Sequence, residues 1–169
     1  DGINDFVDCG AENDLASPEL TISAWVRPES SSTLLPILHK GGWLLDEDFG
    51  LHLSAGQVLF EFGTDTRPVA SFFSLNSNTV LPPAEWSCVT ATRSVAAKGN
   101  AAHVVIYVNG VKDRSAVYNF VPVVRGSALF IGEPPFEGAI DDVRIYRASL
   151  SAADVGRIYQ EVASPPYRR

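Results

Sequence analysis

Residues 137–159, EGAIDDVRIYRASLSAADVGRIY, decide how the rest of the chain is read. Ile140, Val143 and Ile145 are strand-forming residues set around the adjacent acids Asp141 and Asp142. Ser151 opens a different pattern. Asp154 follows it at the spacing with which a hydroxyl and a carboxylate cap the free N–H groups of a helix start. Val155, Ile158 and Tyr159 then share one face of a 3.6-residue period. The stretch therefore predicts a strand, a turn and one short helix within 151–160.

Upstream, the period is two. Leu20, Ile22, Ala24 and Val26 alternate with Thr21, Ser23, Trp25 and Arg27, and Pro28 stops the run. Short strands are expected at 37–40 and 69–73, and strands at 86–93 and 103–108. Hairpins are expected around Ser54-Ala55-Gly56 and Asn109-Gly110. The stretches 43–48 and 75–84 read as loops, and 118–126 as a connection. Eleven to thirteen short strands with one closing helix imply an all-β fold, a two-sheet antiparallel sandwich. Residues 1–163 form one domain in this reading. Ser164-Pro165-Pro166 starts a tail or linker over 164–169.

Bulk properties narrow the partners. The 169 residues are 46% hydrophobic and 20% charged, enough for one substantial core. A formal net charge of −7 disfavours nucleic acid and anionic membrane, which need clustered Lys and Arg. Arg168-Arg169 is the lone basic cluster, and no apolar run is long enough for membrane insertion. Cys9 and Cys88 fit either a disulfide in an oxidising compartment or two separate thiols. The chain opens abruptly at Asp1, as an excised or processed domain would.

Six segments in order resemble the LamG-like jelly-roll family of the concanavalin A-like lectin/glucanase superfold. They are DGINDFVD, LTISAWVRP, ILHKGG, EWSCVTATR, VVIYVNGV and GAIDDVRIYRASLSAADVGRIY. The resemblance implies two curved antiparallel sheets, a concave face and a rim of loops. It also implies a calcium ion shared by Asp1 and Asp141, joining the first strand to the last. Calcium takes six to eight hard oxygens, so backbone carbonyls would complete the shell. Alternation puts Asp141 and Asp142 on opposite faces, so one of them, Asp141, would point at the ion; the alternative is a hydrogen-bonded turn acid and a surface acid paired with Arg144.

Catalysis finds little support in the residues. Glycoside hydrolysis needs two carboxylates flanking one bond, yet Glu61 stands alone on its strand between Phe60 and Phe62. His39, His52 and His103 lie on different strands with no nucleophile motif, and read as partly exposed strand histidines. Sugar binding uses exposed rings with a few polar groups. Trp43, after Gly41-Gly42, is the best platform; Phe73 and Tyr118 sit beside loops, and Asp46 and Asp48 supply acids. Trp25 and Trp86 read as core. The expectation is a non-catalytic binding or adhesion module of a larger extracellular or cell-surface protein, recognising a glycan or an extracellular protein. A structural subunit of an extracellular assembly and a polysaccharide-active enzyme are the alternatives.

Overall fold

The computed structural model describes residues 5–11, 15, 17–31, 34–42, 46–64, 71–96, 101–119, 122, 127–133 and 136–163. Among the described residues, eleven strands precede one helix: β1 (Val7–Asp8), β2 (Leu20–Pro28), β3 (Leu34–Gly42), β4 (Asp46–Ser54), β5 (Gln57–Thr64), β6 (Ser71–Val80), β7 (Ser87–Val95), β8 (Ala102–Val108), β9 (Val111–Tyr118), β10 (Leu129–Ile131), β11 (Gly138–Tyr146) and α1 (Ala152–Ala163). They form a six-stranded sheet, β1-β10-β3-β4-β5-β6, and a five-stranded sheet, β11-β2-β7-β8-β9. Every described pairing is antiparallel. This is the expected two-sheet jelly-roll sandwich.

The core follows from alternation. Leu20, Ile22, Ala24 and Val26 of β2 belong to one buried cluster with Val89 and Ala91 of β7, and with Phe49, Leu51, Phe60 and Phe62 of the other sheet. Each large apolar side chain buried there contributes about 1.5–3 kcal/mol relative to exposure. The other face of β2 is buried as well, which alternation alone did not predict. Helix α1 covers it: Tyr159 stacks on Trp25 at 5.6 Å, and Val155 packs with Val105 and Tyr107. Thr21 Oγ1 donates to Ala148 O at 2.7 Å and accepts from Leu150 N–H at 2.9 Å, and Ser23 and Thr90 share a hydrogen bond of 2.9 Å. Thr21 and Ser23 on this face thus find hydrogen-bond partners inside the protein. The helix start carries the expected reciprocal cap. Ser151 Oγ accepts from Asp154 N–H at 3.2 Å, while Asp154 Oδ2 accepts from Ser151 N–H at 3.3 Å.

Both expected hairpin turns form, with Ala55-Gly56 and Asn109-Gly110 at positive φ. At Gly110 an added Cβ would lie 2.9 Å from the Tyr159 Cβ, so the turn also fits under the helix only as glycine. Two expected loops are strand instead. Residues 75–80 continue β6, where Ser77 Oγ accepts from Val58 N–H at 2.9 Å and donates to Thr79 O at 2.6 Å. Its side chain takes over ladder bonding where the β5–β6 register shifts. Residues 46–48 begin β4. Trp86 is half-buried under the Arg27 guanidinium, 5.8 Å away, rather than in the core. Both cysteines are free thiols, Cys9 exposed and Cys88 buried, and burial pushes the Cys88 thiol up.

The two lateral edges of the sandwich differ. On the β6/β9 side the sheets are stitched together. Asp113 accepts from Asn78 N–H at 2.5 Å, Thr79 N–H at 3.1 Å and Thr79 Oγ1 at 2.5 Å. Arg114 donates to Asn76 O at 3.2 Å and Tyr118 to Ser74 O at 2.7 Å. On the β1/β11 side a cleft of about 500 Å³ separates them. Partial burial pushes the Asp113 carboxyl up, but the Thr79 and Asn78 hydrogen bonds and Arg114 outweigh it, and the net shift is downward. A depressed carboxylate contributes stability above its unfolded-state value and loses it as pH falls through the folded-state value. Asp113→Ala is therefore expected to destabilise by about 1–2 kcal/mol near neutral pH, the low end for charge-assisted bonds because the group is partly exposed. The gap from wild type should close as pH drops below 3.8. Urea unfolding across that range checks both.

Candidate functional site

At one end of the sandwich, charge is buried among aromatic rings. Along β7, Val89, Ala91 and Arg93 share one parity, so strand geometry carries Arg93 inward with the core residues. It is 1% exposed. Its Nε and Nη2 donate to Pro18 O at 2.9 Å and Ser17 O at 2.8 Å, and its guanidinium lies 5.2 Å from the Phe62 ring centroid. Lys40 pairs with Phe49 in register and is wholly buried, its Nζ donating to Ser127 O.

Asp48 supplies the counter-charge. The β3–β4 register passes from Lys40–Phe49 to Gly41–Glu47, which leaves Asp48 as the extra residue of a bulge. A bulge re-aims the side chain it carries. Burial lowers both cations and Asp48 raises them; the guanidinium comes down to about 10, still charged at neutral pH. Asp48 is 2% exposed, so this acid belongs to the interior network rather than to an exposed loop.

Phe73 and Tyr118 meet here too. Their rings stand 5.3 Å apart at 63°, and both contact Phe62, at 6.3 Å and 5.7 Å. Both are half-buried, leaving part of each ring at the surface. Burial pushes the Tyr118 phenol up, against a smaller opposing effect of Arg114. The fold thus joins Asp48, Phe73 and Tyr118 through Arg93 and Phe62. Trp43 and the Asp46 side chain lie outside the described residues. Arg93 and Lys40 were missed as members of this end. The signal for Arg93 was available: a cation at the inward parity of Val89 and Ala91.

At the opposite lateral edge, β1 and β11 flank the cleft. Phe6, Val7, Phe136 and Ile140 form its apolar part, and Asp5, Asp141 and Asp142 its acids. In β11, Asp142 and Val143 together stand opposite Ala24, and Asp142 adopts φ 46°. Asp141 Oδ1 accepts from Asp142 N–H at 2.8 Å. Asp142 accepts from Arg144 Nε at 3.0 Å, and Arg144 reaches Glu161 at 2.9 Å. These bonds, Glu161's first and Asp142's second, raise the Arg144 guanidinium further. The Asp141 turn bond and the Asp142–Arg144 pair, the alternative to a shared ion, are both present. Asp1 lies outside the described residues. Among the described residues no three His, Cys, Asp or Glu side chains are gathered to hold a metal.

The histidines differ from expectation. His39 is buried, stacked on Phe130 at 5.4 Å, with Nδ1 3.0 Å from Gly41 O. His52 is buried with Nε2 4.0 Å from Glu61. Only His103 of the three is exposed.

The family model for the concanavalin A-like lectin/glucanases superfamily matches residues 1–156. The chain belongs to that superfamily. No curated protein matches it. Among solved structures it resembles domain 4 of AbnA, a GH43 extracellular arabinanase from Geobacillus stearothermophilus, in complex with arabinotriose. That match has 20% identity and a TM-score of 0.67, over 89% of this chain and 70% of the other. It also resembles the CBM40 of the Ruminococcus gnavus IT-sialidase bound to α2,3-sialyllactose, with 15% identity and a TM-score of 0.69, over 93% and 94%. A native SAP-like pentraxin from Limulus polyphemus matches at 15% identity and a TM-score of 0.60, over 90% and 74%. At these identities the likeness is one of fold. No described helix is long and apolar enough to cross a membrane.

Removing one partner of a buried charge network leaves an uncompensated ion. Asp48→Asn is expected to lower stability by about 3–5 kcal/mol. Arg93→Met should cost less, and the double variant should recover part of the Asp48→Asn loss. Denaturant midpoints of the three variants test this coupling.

Proposed function

We propose that this domain is a non-catalytic glycan-binding module of an extracellular protein, with its binding surface at the aromatic end. The observation that carries the reading is the Phe62–Phe73–Tyr118 cluster, fixed from behind by buried Arg93. Sugars offer apolar C–H faces to rings and hydroxyls to polar groups, and a rigidly backed platform binds them at little entropic cost. Trp43, which directly follows the last residue of β3, and Asp46, the first residue of β4, belong to the same proposed surface. Asp48 acts behind it, as the counter-charge that holds Lys40 and Arg93. The two fold relatives solved with an oligosaccharide support the ligand class. An extracellular setting accords with the arabinanase source of one of them.

Calcium is the second component of this proposal. The cleft carries hard carboxylate oxygens suited to the ion, and Asp141 lines it while its Oδ1 accepts from Asp142 N–H. Asp142 is already shared with Arg144 and is the poorer ligand. Asp1 and Asp141 would hold the ion, which would tie the start of the chain to β11.

Glycan-array binding with and without calcium tests the ligand class. Trp43→Ala and Phe73→Ala should each weaken retention by about tenfold or more, within the range of losses at stacking residues. Retention unchanged in both variants would remove the aromatic end as the site. For the ion, melting temperature should rise with calcium and fall with chelator in wild type but not in Asp141→Ala. A hundredfold excess over Kd corresponds to about 2.7 kcal/mol. An unchanged wild-type melting temperature would end the calcium proposal.

A further inference from the structure

The seam between β6 and β9 holds a cation that the fold uses only in part. Along β9, Arg114, Ala116 and Tyr118 pair with Ile106, Val104 and Ala102 and share the inward parity of those core residues. The two long side chains cross to β6. Tyr118 donates to Ser74 O and Arg114 Nη1 to Asn76 O, carbonyls two residues apart on one strand and so about 7 Å from each other. Ala116 stands between them, packed on the core. Phe73 lies on the ring side, 5.3 Å from Tyr118. Asp113 lies on the far side, its oxygens bonded to Asn78 and Thr79. A guanidinium therefore flanks the aromatic platform, with a saturated acid behind it.

On the glycan-binding reading of this end, we infer that its ligand is a sugar bearing a carboxylate, and that Arg114 is the residue that selects the acid. Arg144 and Arg157 are each paired with a carboxylate. Arg114 is exposed and makes no ion pair among the described residues, with Asp113 or any other acid. Its one bond is to a carbonyl, which leaves its charge unmatched. That charge is felt at the platform, where it opposes the burial that pushes the Tyr118 phenol up. A guanidinium presents paired N–H donors that match the two oxygens of a carboxylate. A sugar ring lying on the exposed parts of Phe73 and Tyr118 would bring its carboxylate along the seam to that fork. A chain of net charge −7 repels anions in general, so an acidic sugar needs a local cation to hold it.

The test is a glycan array that carries each uronate-ended and each sialylated oligosaccharide beside its methyl ester, read at graded protein concentration. At least one acid should bind about tenfold tighter than its ester, the worth of one charge-assisted pair, and the margin should shrink with added salt. The pairs that show the margin identify the source of the carboxylate. Arg114→Gln should bring the acid down to the affinity of its ester and leave the ester unchanged. Arg114→Lys should keep only part of the margin, because an ammonium has no fork. A variant that merely loosened the seam would weaken acid and ester alike, so the ratio separates recognition from stability. Equal affinity for acid and ester in wild type, a margin that survives in Arg114→Gln, or equal weakening of both in that variant would each overturn the inference. Retention of esters and neutral glycans with no preference for the acid would leave the glycan-binding reading standing, whereas no retention of any glycan would end both.

Discussion

The burial of β2 on both faces is the constraint on which the rest of this structure depends. A strand with Leu20, Ile22, Ala24 and Val26 on one side needs a second sheet over them. Trp25, Ser23 and Thr21 on the other side need a second cover with hydrogen-bond partners. The six-stranded sheet meets the first need, and the closing segment, with Thr90 of β7, meets the second. β11 pairs along β2, and α1 folds back to lay Tyr159 on Trp25. A strand buried on both faces has no tolerance for register slippage, because a one-residue shift would exchange two buried surfaces. The chain's first long strand and its last elements are therefore fixed by one another.

With that pairing set, the sandwich has two unlike lateral edges and one charged end. Carboxylates occupy three separate settings in this arrangement. Asp113 bonds one sheet edge to the other. Asp48 neutralises buried cations and so holds the floor beneath Phe73 and Tyr118. Asp5, Asp141 and Asp142 line the cleft at the other lateral edge. Burial and neighbours, rather than residue type, separate an interior acid from one at the surface. A network such as Asp48 with Lys40 and Arg93 is costly to desolvate. Its value here is positional, since an Arg packed over Phe62 cannot move without breaking main-chain bonds to Ser17 and Pro18.

The periodicity of the chain alone determined the architecture. The period-two runs, the two tight turns and the Ser151–Asp154 cap rest on local backbone physics, and each appears where the residues put it. Segments with weak local preferences were not legible. β6 extends through Ser74, Asn76 and Asn78 because neighbouring strands and Asp113 satisfy its polar groups, a tertiary effect that overrides propensity. Asp46–Asp48 read as loop after Gly41-Gly42, yet pairing with β3 draws them into β4. Parity could place Arg93 in the interior, but no local pattern names its partners. Only the folding of distant strands into contact decided that Asp48 balances Arg93, that Phe73 meets Tyr118, and that β1 and β11 leave a cleft between them. These facts depend on register shifts and on the order of strands within sheets, which local periodicity does not encode.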